Sequence, residues 1–272
     1  MIIGIDIGST TTKAVLVEQG TVIQRIKTRA IDAVTSATGA FGKMVLENNI
    51  PMSEITRIAI TGVGASKIKG SIFGIPTEKV DEFTAIGKGG MFQSGRDNII
   101  ITNIGTGTVI IEARKNEINH VGGSGVGGGT ILGLSKKLLQ STTFSDIMDM
   151  AATGSLNQVD LLLEDIIGTD LSFLSREATA ANFGKMLDSA KNEDIARAII
   201  NMVYQVIGML SVFAARSKDS DCVLVTGSGS DNAIGKKTLE EIARMYQIHF
   251  EFPAGAEYTT AIGAGLSAVD AL

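Results

Sequence analysis

The stretch IIGIDIGSTTTKAVLV (2–17) decides how this chain folds. An apolar, β-branched run at 2–7 enters Gly8-Ser9-Thr10-Thr11-Thr12-Lys13 and returns as a second run at 14–18. Gln19-Gly20 marks a turn, and 22–28 reads as a third strand. The opening is therefore a β-meander whose first bend is lined by glycine and hydroxyls. The pattern restarts at 98–103, which runs into Ile104-Gly105-Thr106-Gly107-Thr108 and continues as strands at 109–114 and 118–121. A second internal echo pairs IAITGVGAS (58–66) with VLVTGSGSD (223–231). Both pairs keep the same order. They predict a duplicated α/β architecture, with lobes at 1–97 and 98–272.

The remaining periodicity predicts helices at 33–48, 82–92, 130–140, 240–246 and 259–271, with helical patterns dominating up to residue 217. Further strands are expected at 58–61, 223–225 and 249–252. Within 195–213, residues Ile195, Ile199, Met202, Val203, Val206, Ile207, Leu210 and Phe213 recur at 3–4 spacing. Such a stripe packs into a core by default; a homodimer interface is the alternative, and a dimer through this helix is expected.

Composition narrows the function. A net charge of -5 argues against a nucleic-acid partner, which selects a basic face. No window approaches 18 uninterrupted apolar residues, so no membrane span is expected, and MIIGIDIGST lacks the basic start of a signal peptide. The single cysteine, Cys222, excludes an internal disulfide and a Cys-only metal site, and fits a reducing cytoplasm. The excess lies in glycine, 32 of 272 residues, clustered after short β-branched runs where chains turn tightly around ligands.

Two Gly/Ser/Thr bends facing each other can cradle a polyphosphate, with backbone N–H and hydroxyl groups as donors. Lys13 can place a cation on a phosphate. Asp6 can hold a hydrated Mg²⁺, which prefers one carboxylate plus waters. Gly123–Gly128 formally spells GxGxxG, but hairpins precede it where a dinucleotide fold requires a βαβ unit. A nucleotide loop at a helix start, with Thr130 opening the helix, is the preferred reading; a plain Gly-rich turn has the same signature. Thr226-Gly227-Ser228-Gly229 leaves room for adenine or ribose on the backbone, as would an ordinary strand-to-helix turn. Either Asp81 or Glu82 could take a proton from an acceptor hydroxyl, yet spacing alone favours two acids complementing a helix N-terminus.

With these residues in hand, the chain resembles the type II pantothenate kinases of the acetate/sugar kinase–Hsp70–actin superfamily. The resemblance rests on GIDIGSTTTK (4–13), TGVGA (61–65), DEF (81–83) with Ala85 and Gly89, NIGTGT (103–108), VGGSGVGGGTILGL (121–134) and AANFG (180–184). It implies an α/β fold of duplicated actin-like, ribonuclease H-like domains with an interdomain nucleotide cleft. It also implies ATP- and Mg²⁺-dependent phosphorylation of pantothenate to 4'-phosphopantothenate, the first step toward coenzyme A. On it, Glu82 would be the catalytic base. Gly8, Ser9, Thr10, Thr11, Thr12, Lys13, Gly105, Thr106, Gly107, Gly128, Gly129, Thr130, Ile131, Leu132, Phe144, Gly227 and Ser228 would surround ATP, and Asp6 the metal. Thr108, His120 and Gly122 would meet pantothenate. His120 departs from the family, which usually carries arginine there; histidine is neither permanently charged nor bidentate. That departure keeps alternatives open: an ATP-binding switch of the same fold, or a kinase for another small hydroxyl acceptor. GSTTTK also resembles the ATPases that activate 2-hydroxyacyl-CoA dehydratases. Their Cys-ligated cluster at a dimer interface is disfavoured here, because Cys222 supplies only one thiolate per chain.

Overall fold

The first strand alternates between two helical layers, and that alternation organises the molecule. The computed structural model describes residues 1–115, 117–167 and 175–269. One sheet holds β1 (Ile2–Ile7), β2 (Thr11–Glu18), β3 (Thr21–Arg29), β4 (Arg57–Thr61) and β5 (Thr77–Lys79), in the order β3-β2-β1-β4-β5. In chain order α1 (Ala33–Glu47) follows β3, and α2 (Glu82–Ser94) follows β5. The second sheet holds β6 (Asn98–Ile104), β7 (Thr108–Arg114), β8 (Glu117–Ser124), β11 (Cys222–Thr226) and β12 (His249–Glu251). Its order is β12-β11-β6-β7-β8. Between β8 and β11 lie α3 (Gly128–Leu138), α4 (Phe144–Thr153), a short ribbon of β9 (Leu161–Leu162) and β10 (Thr179–Ala181), α5 (Leu163–Ile166) and α6 (Asn192–Ser217). The chain closes with α7 (Ala233–Tyr246) and α8 (Thr259–Val269).

The two sheets are copies. Each begins with an antiparallel meander whose first strand pairs in parallel with a later strand: β1 with β4, β6 with β11. The copies agree at atomic detail. Gly62 and Gly227, which end β4 and β11, have φ of 84° and 83°. A Cβ at Gly62 would fall 2.5 Å from Asp6 Oδ1, and one at Gly227 would fall 2.8 Å from Asn103 Oδ1. Glycine is required twice, by the left-handed backbone and by the neighbouring first strand.

On β1, Ile3, Ile5 and Ile7 pack with Phe41 and Met44 of α1, while Ile2 joins Ala261 and Ile262 of α8 on the opposite face. On the second sheet, Ile100, Ile104 and Ile110 join α6, and Ile99, Ile101 and Ile111 join Ile86 of α2. Thus α2, encoded beside the first sheet, lies on the second, and α8, encoded last, lies on the first. The pair forms the layer between the sheets. Their crossing is backbone on backbone: a Cβ at Gly263 would sit 1.7 Å from the Ala85 carbonyl, and one at Gly89 2.0 Å from that of Thr259. Gln93 and Thr259 are hydrogen-bonded across the same contact.

Several expectations shift. The helix expected at 240–246 starts at Ala233, because the Asn232 side chain accepts from the amides of Ile234 and Gly235 at 3.1 and 2.8 Å. The run read as helical between 140 and 217 is interrupted by the β9–β10 ribbon. Strand β5 is a short polar edge, TEK, without an apolar signal. Helix α6 is long and apolar enough to cross a membrane, but 67% of its most apolar window is buried inside the protein, so it is the core helix of the second lobe. Near its end, Lys218 and Arg114 reach the buried carboxylate of Glu112 at 3.0 and 2.6 Å.

Replacing Gly263 with alanine should lower stability by roughly 1–3 kcal/mol, because two helix backbones must separate. Gly39→Ala, on the exposed side of α1 with open space around its Cα, should be neutral or stabilising by up to about 1 kcal/mol. Thermal melts of both variants check the contrast; equal melting temperatures would remove the α2–α8 crossing as a determinant.

Candidate active site

Strand ends bring the two hydroxyl-lined bends to one place. A cleft of about 470 Å³ opens between the sheets. It is lined from the first lobe by Asp6, Gly8, Ser9, Thr10, Thr11, Lys13 and Glu82. From the second it is lined by Gly105, Thr106, Gly107, Thr108, Gly128, Gly129, Leu132, Phe144, Gly227 and Ser228. The bends touch at their tips: Ser9 Oγ and Thr106 Oγ1 lie 2.6 Å apart. The amides of Ser9, Thr10, Thr106 and Gly107 take no hydrogen-bond partner among the described residues, which leaves them as donors toward the cleft's contents.

The charged groups sit behind the first bend. Lys13 Nζ is 3.9 Å from Asp6 Oδ2, and both side chains are largely buried. Burial raises the Asp6 carboxyl to about 6; Lys13 pulls it down, and the negative charge of Glu82 pushes it up. Glu82 is also raised, first by burial and then by its neighbour Asp81. The two acids divide the work of the helix start. Asp81 caps α2, accepting from the Thr84 amide at 2.9 Å and its hydroxyl at 3.0 Å. Glu82, one residue on, lines the cleft.

Five expected residues do not line the cleft. Thr12 is buried in β2, and its hydroxyl has no hydrogen-bond partner. Ile131 belongs to the second lobe's core. Helix α3 opens at Gly128 rather than at Thr130. The Thr130 hydroxyl closes the helix start, accepting from the Gly127 amide at 3.1 Å and donating to the Gly125 carbonyl at 3.2 Å. Gly122 lies on β8. His120, also on β8, is exposed and stacks on Phe83, with ring centroids 4.5 Å apart and planes 6° from parallel, beside Glu82 on α2. The glycine loop differs in another respect. The amides of Gly128 and Gly129 donate to the carbonyls of Gly105 and Thr106, both at 2.9 Å, so they brace the second bend instead of facing a ligand.

The AANFG segment also lies away from the cleft. The buried carboxylate of Asp160 accepts from the Phe183 amide at 2.9 Å, from Asn201 at 2.9 Å and from the Thr179 hydroxyl at 3.2 Å. That motif is an anchor. Conversely, Lys27, Tyr204, Glu257 and Thr260 line the cleft without having stood out in the sequence, and Asn103 and Gly229 join them from the NIGTGT and TGSG segments. Lys27 and Glu257 form a 2.6 Å ion pair across 230 residues of chain.

Residues 97–267 match the Fumble family. The chain is 30% identical over 265 residues to a protein of Bacillus cereus named type II pantothenate kinase, covering 90% of this chain and 89% of that one. It is 31% identical over 260 residues to a protein of the same name from Bacillus anthracis, with the same coverage. Among solved structures, the activator of the 2-hydroxyisocaproyl-CoA dehydratase from Clostridium difficile, with bound ADPNP, superposes with a TM-score of 0.68. That match has 19% identity and covers 99% of this chain and 94% of that one. A ROK family glucokinase from Streptomyces griseus, in complex with glucose and AMPPNP, superposes at 0.61 with 14% identity over 97% of both chains. At these identities the likeness is one of fold, and it establishes the duplicated actin-like architecture. The sequence likeness, which spans nearly the whole length, goes further: the chain belongs to the type II pantothenate kinase family.

Proposed function

We propose that this chain transfers the γ-phosphoryl group of ATP to the primary hydroxyl of pantothenate, giving 4'-phosphopantothenate and ADP. The observation that carries the reading is the meeting of two hydroxyl-tipped bends, Ser9 against Thr106, with Lys13, Asp6 and Glu82 beside them. Phosphoryl transfer needs positioning and charge neutralisation more than covalent help, and these bends supply both. In this reading the free amides and hydroxyls of the bends hold the phosphates, with Lys13 as their cation. Glu82 takes the proton from the acceptor hydroxyl as its oxygen attacks phosphorus and ADP leaves. A carboxylate raised toward neutrality by burial is a better base than an ordinary glutamate. Leu132 and Phe144 offer apolar surface to the nucleoside, and His120 stands at the acceptor's side of Glu82. The lobes, taken as 1–97 and 98–272, close on the nucleotide and exclude water.

The residues fit a hydrated Mg²⁺. No cluster of three or more acidic, His or Cys side chains occurs among the described residues, so an all-protein cage is not offered. Asp6 offers one carboxylate, and Thr61, its register partner on β4, carries a buried hydroxyl without a partner, as beside an ordered water. The ion would lie at Asp6 through water and would neutralise charge on the phosphates.

We assign the reaction to the cytoplasm, consistent with the lone buried thiol of Cys222. A homodimer through α6 belongs to the same proposal, on a face smaller than the sequence stripe. Ile199, Val203 and Ile207 are fully buried in the chain's own core, while Phe213 and Val206 remain 58% and 37% exposed. Light scattering at micromolar concentration should return twice the chain mass; the mass of one chain would remove the dimer.

Glu82→Gln should lower kcat by roughly 10²–10⁴-fold while ATP binding persists. In the wild type, kcat/KM should fall as the solution is acidified through the raised values of the Asp6–Glu82 pair, above the ordinary glutamate value of about 4.3. In the variant Asp6 loses a like charge, so the remaining acidic limb should move to lower pH. Full turnover by Glu82→Gln in an ADP-release assay with pantothenate would overturn the assigned base. His120→Arg should raise kcat/KM for pantothenate by adding a permanent, bidentate cation at the acceptor side. An unchanged ratio would show that the histidine does not limit the reaction.

A further inference from the structure

Tyr204 stands out among the cleft residues that the proposed chemistry leaves unused. It lies on α6, the core helix of the second lobe, and is 1% exposed, yet it borders the cleft. Its hydroxyl donates to the Gly229 carbonyl at 2.6 Å. Two glycines make room for its ring. A Cβ at Gly235, in the first turn of α7, would fall 2.3 Å from ring carbons, and one at Gly229 would fall 3.1 Å from the phenolic oxygen. The ring is therefore clamped between the start of α7 and the bend Gly227-Ser228-Gly229.

That bend is held from other sides as well. The Gly227 amide donates to the Ala256 carbonyl at 2.9 Å, the Ser230 hydroxyl donates to the Gly227 carbonyl at 2.7 Å, and the Asn232 amide donates to the Gly229 carbonyl at 3.1 Å. Among the described residues, the hydrogen bond from Tyr204 is the one that ties the bend to α6, the helix that packs behind the second sheet. The bend ends β11, next to β6, whose own bend meets Ser9. With the phosphates held where the β1 and β6 bends meet, the β11 bend and the apolar Leu132 and Phe144 are left for the nucleoside.

We infer that Tyr204 is a positioning residue for the nucleoside end of the nucleotide: its hydroxyl fixes the Gly227–Gly229 bend at the height against which base and ribose rest. The inference relies on the nucleotide-cleft part of the kinase reading, not on the identity of the acceptor. Tyr204→Phe is the informative variant. It keeps the packed ring, and the Gly229 carbonyl retains the Asn232 amide, so no buried acceptor is orphaned and the fold survives.

Calorimetry should show ADP binding weakened roughly three- to tenfold in Tyr204→Phe, the scale of one hydrogen bond. Inorganic tripolyphosphate, which has no nucleoside, should bind both proteins equally. In turnover the KM for ATP should rise by the same factor, with kcat and the KM for pantothenate unchanged. ADP affinity within twofold of wild type would overturn the inference. So would an equal weakening of ADP and tripolyphosphate, which would mark a general loosening of the lobe. Wild-type protein that binds ADP but does not phosphorylate pantothenate would sink the acceptor assignment alone. Wild-type protein that fails to bind ADP would sink both.

Discussion

The contact on which this molecule depends is the crossing of α2 and α8 at Gly89 and Gly263. There, helix backbones approach closely enough that a single methyl group would collide with a carbonyl. Such closeness lets two helices share one layer between two sheets. Each helix is encoded in one half of the chain and packed on the sheet of the other, so neither half completes its inner face alone. The cleft follows from this exchange. Helix α2 starts at Glu82 and α8 is preceded by Glu257, and both starts line the cavity. A helix pair held by backbone contact has little freedom to slide, which fixes the carboxylate of Glu82 relative to the bends on either side.

Duplication built the frame, and small divergences gave its halves different jobs. Asp6 and Asn103 occupy matching places, each beside the left-handed glycine of the neighbouring parallel strand. Asn103 is neutral and accepts from the Thr226 hydroxyl at 3.1 Å. Asp6 is charged, with a buried hydroxyl at Thr61 that finds no partner within the chain. One half thus offers an amide whose oxygen is hydrogen-bonded and the other an acid beside a buried hydroxyl without a partner. A symmetric pair of acids would repel a polyphosphate; an acid with Lys13 on one side and an amide on the other does not.

Burial governs the electrostatics. Asp6 and Glu82 lie in the same desolvated space and each feels it as a cost to the charged form, which moves both toward neutrality. Lys13 opposes the shift at Asp6 only. The Ser9–Thr106 contact brings the tips of the two bends together beside these groups, and in such a partly desolvated site the same charges act more strongly than they would in open water.

The sequence by itself determined the two meanders and the strands β4, β11 and β12, the glycine bends that end them and the twofold repeat, because alternation, β-branching and obligatory glycines are local demands that each segment states alone; the polar β5 and the β9–β10 ribbon carried no such signal. Spacing alone read Asp81 and Glu82 as two acids at a helix start; the structure separates them, with Asp81 capping Thr84 and Glu82 lining the cleft. The glycine loop misled in part: its residues read as phosphate donors, yet two of its amides are spent on the neighbouring bend. Thr12 and Ile131 likewise sat in the right motifs with side chains turned to the interior. What only the tertiary structure decided is which distant groups meet: Lys27 with Glu257, Tyr204 with Gly229, α2 with the far sheet. Those encounters depend on how helices cross and sheets stack, and no periodicity within one segment carries that information, because packing is a property of pairs of surfaces rather than of the chain between them.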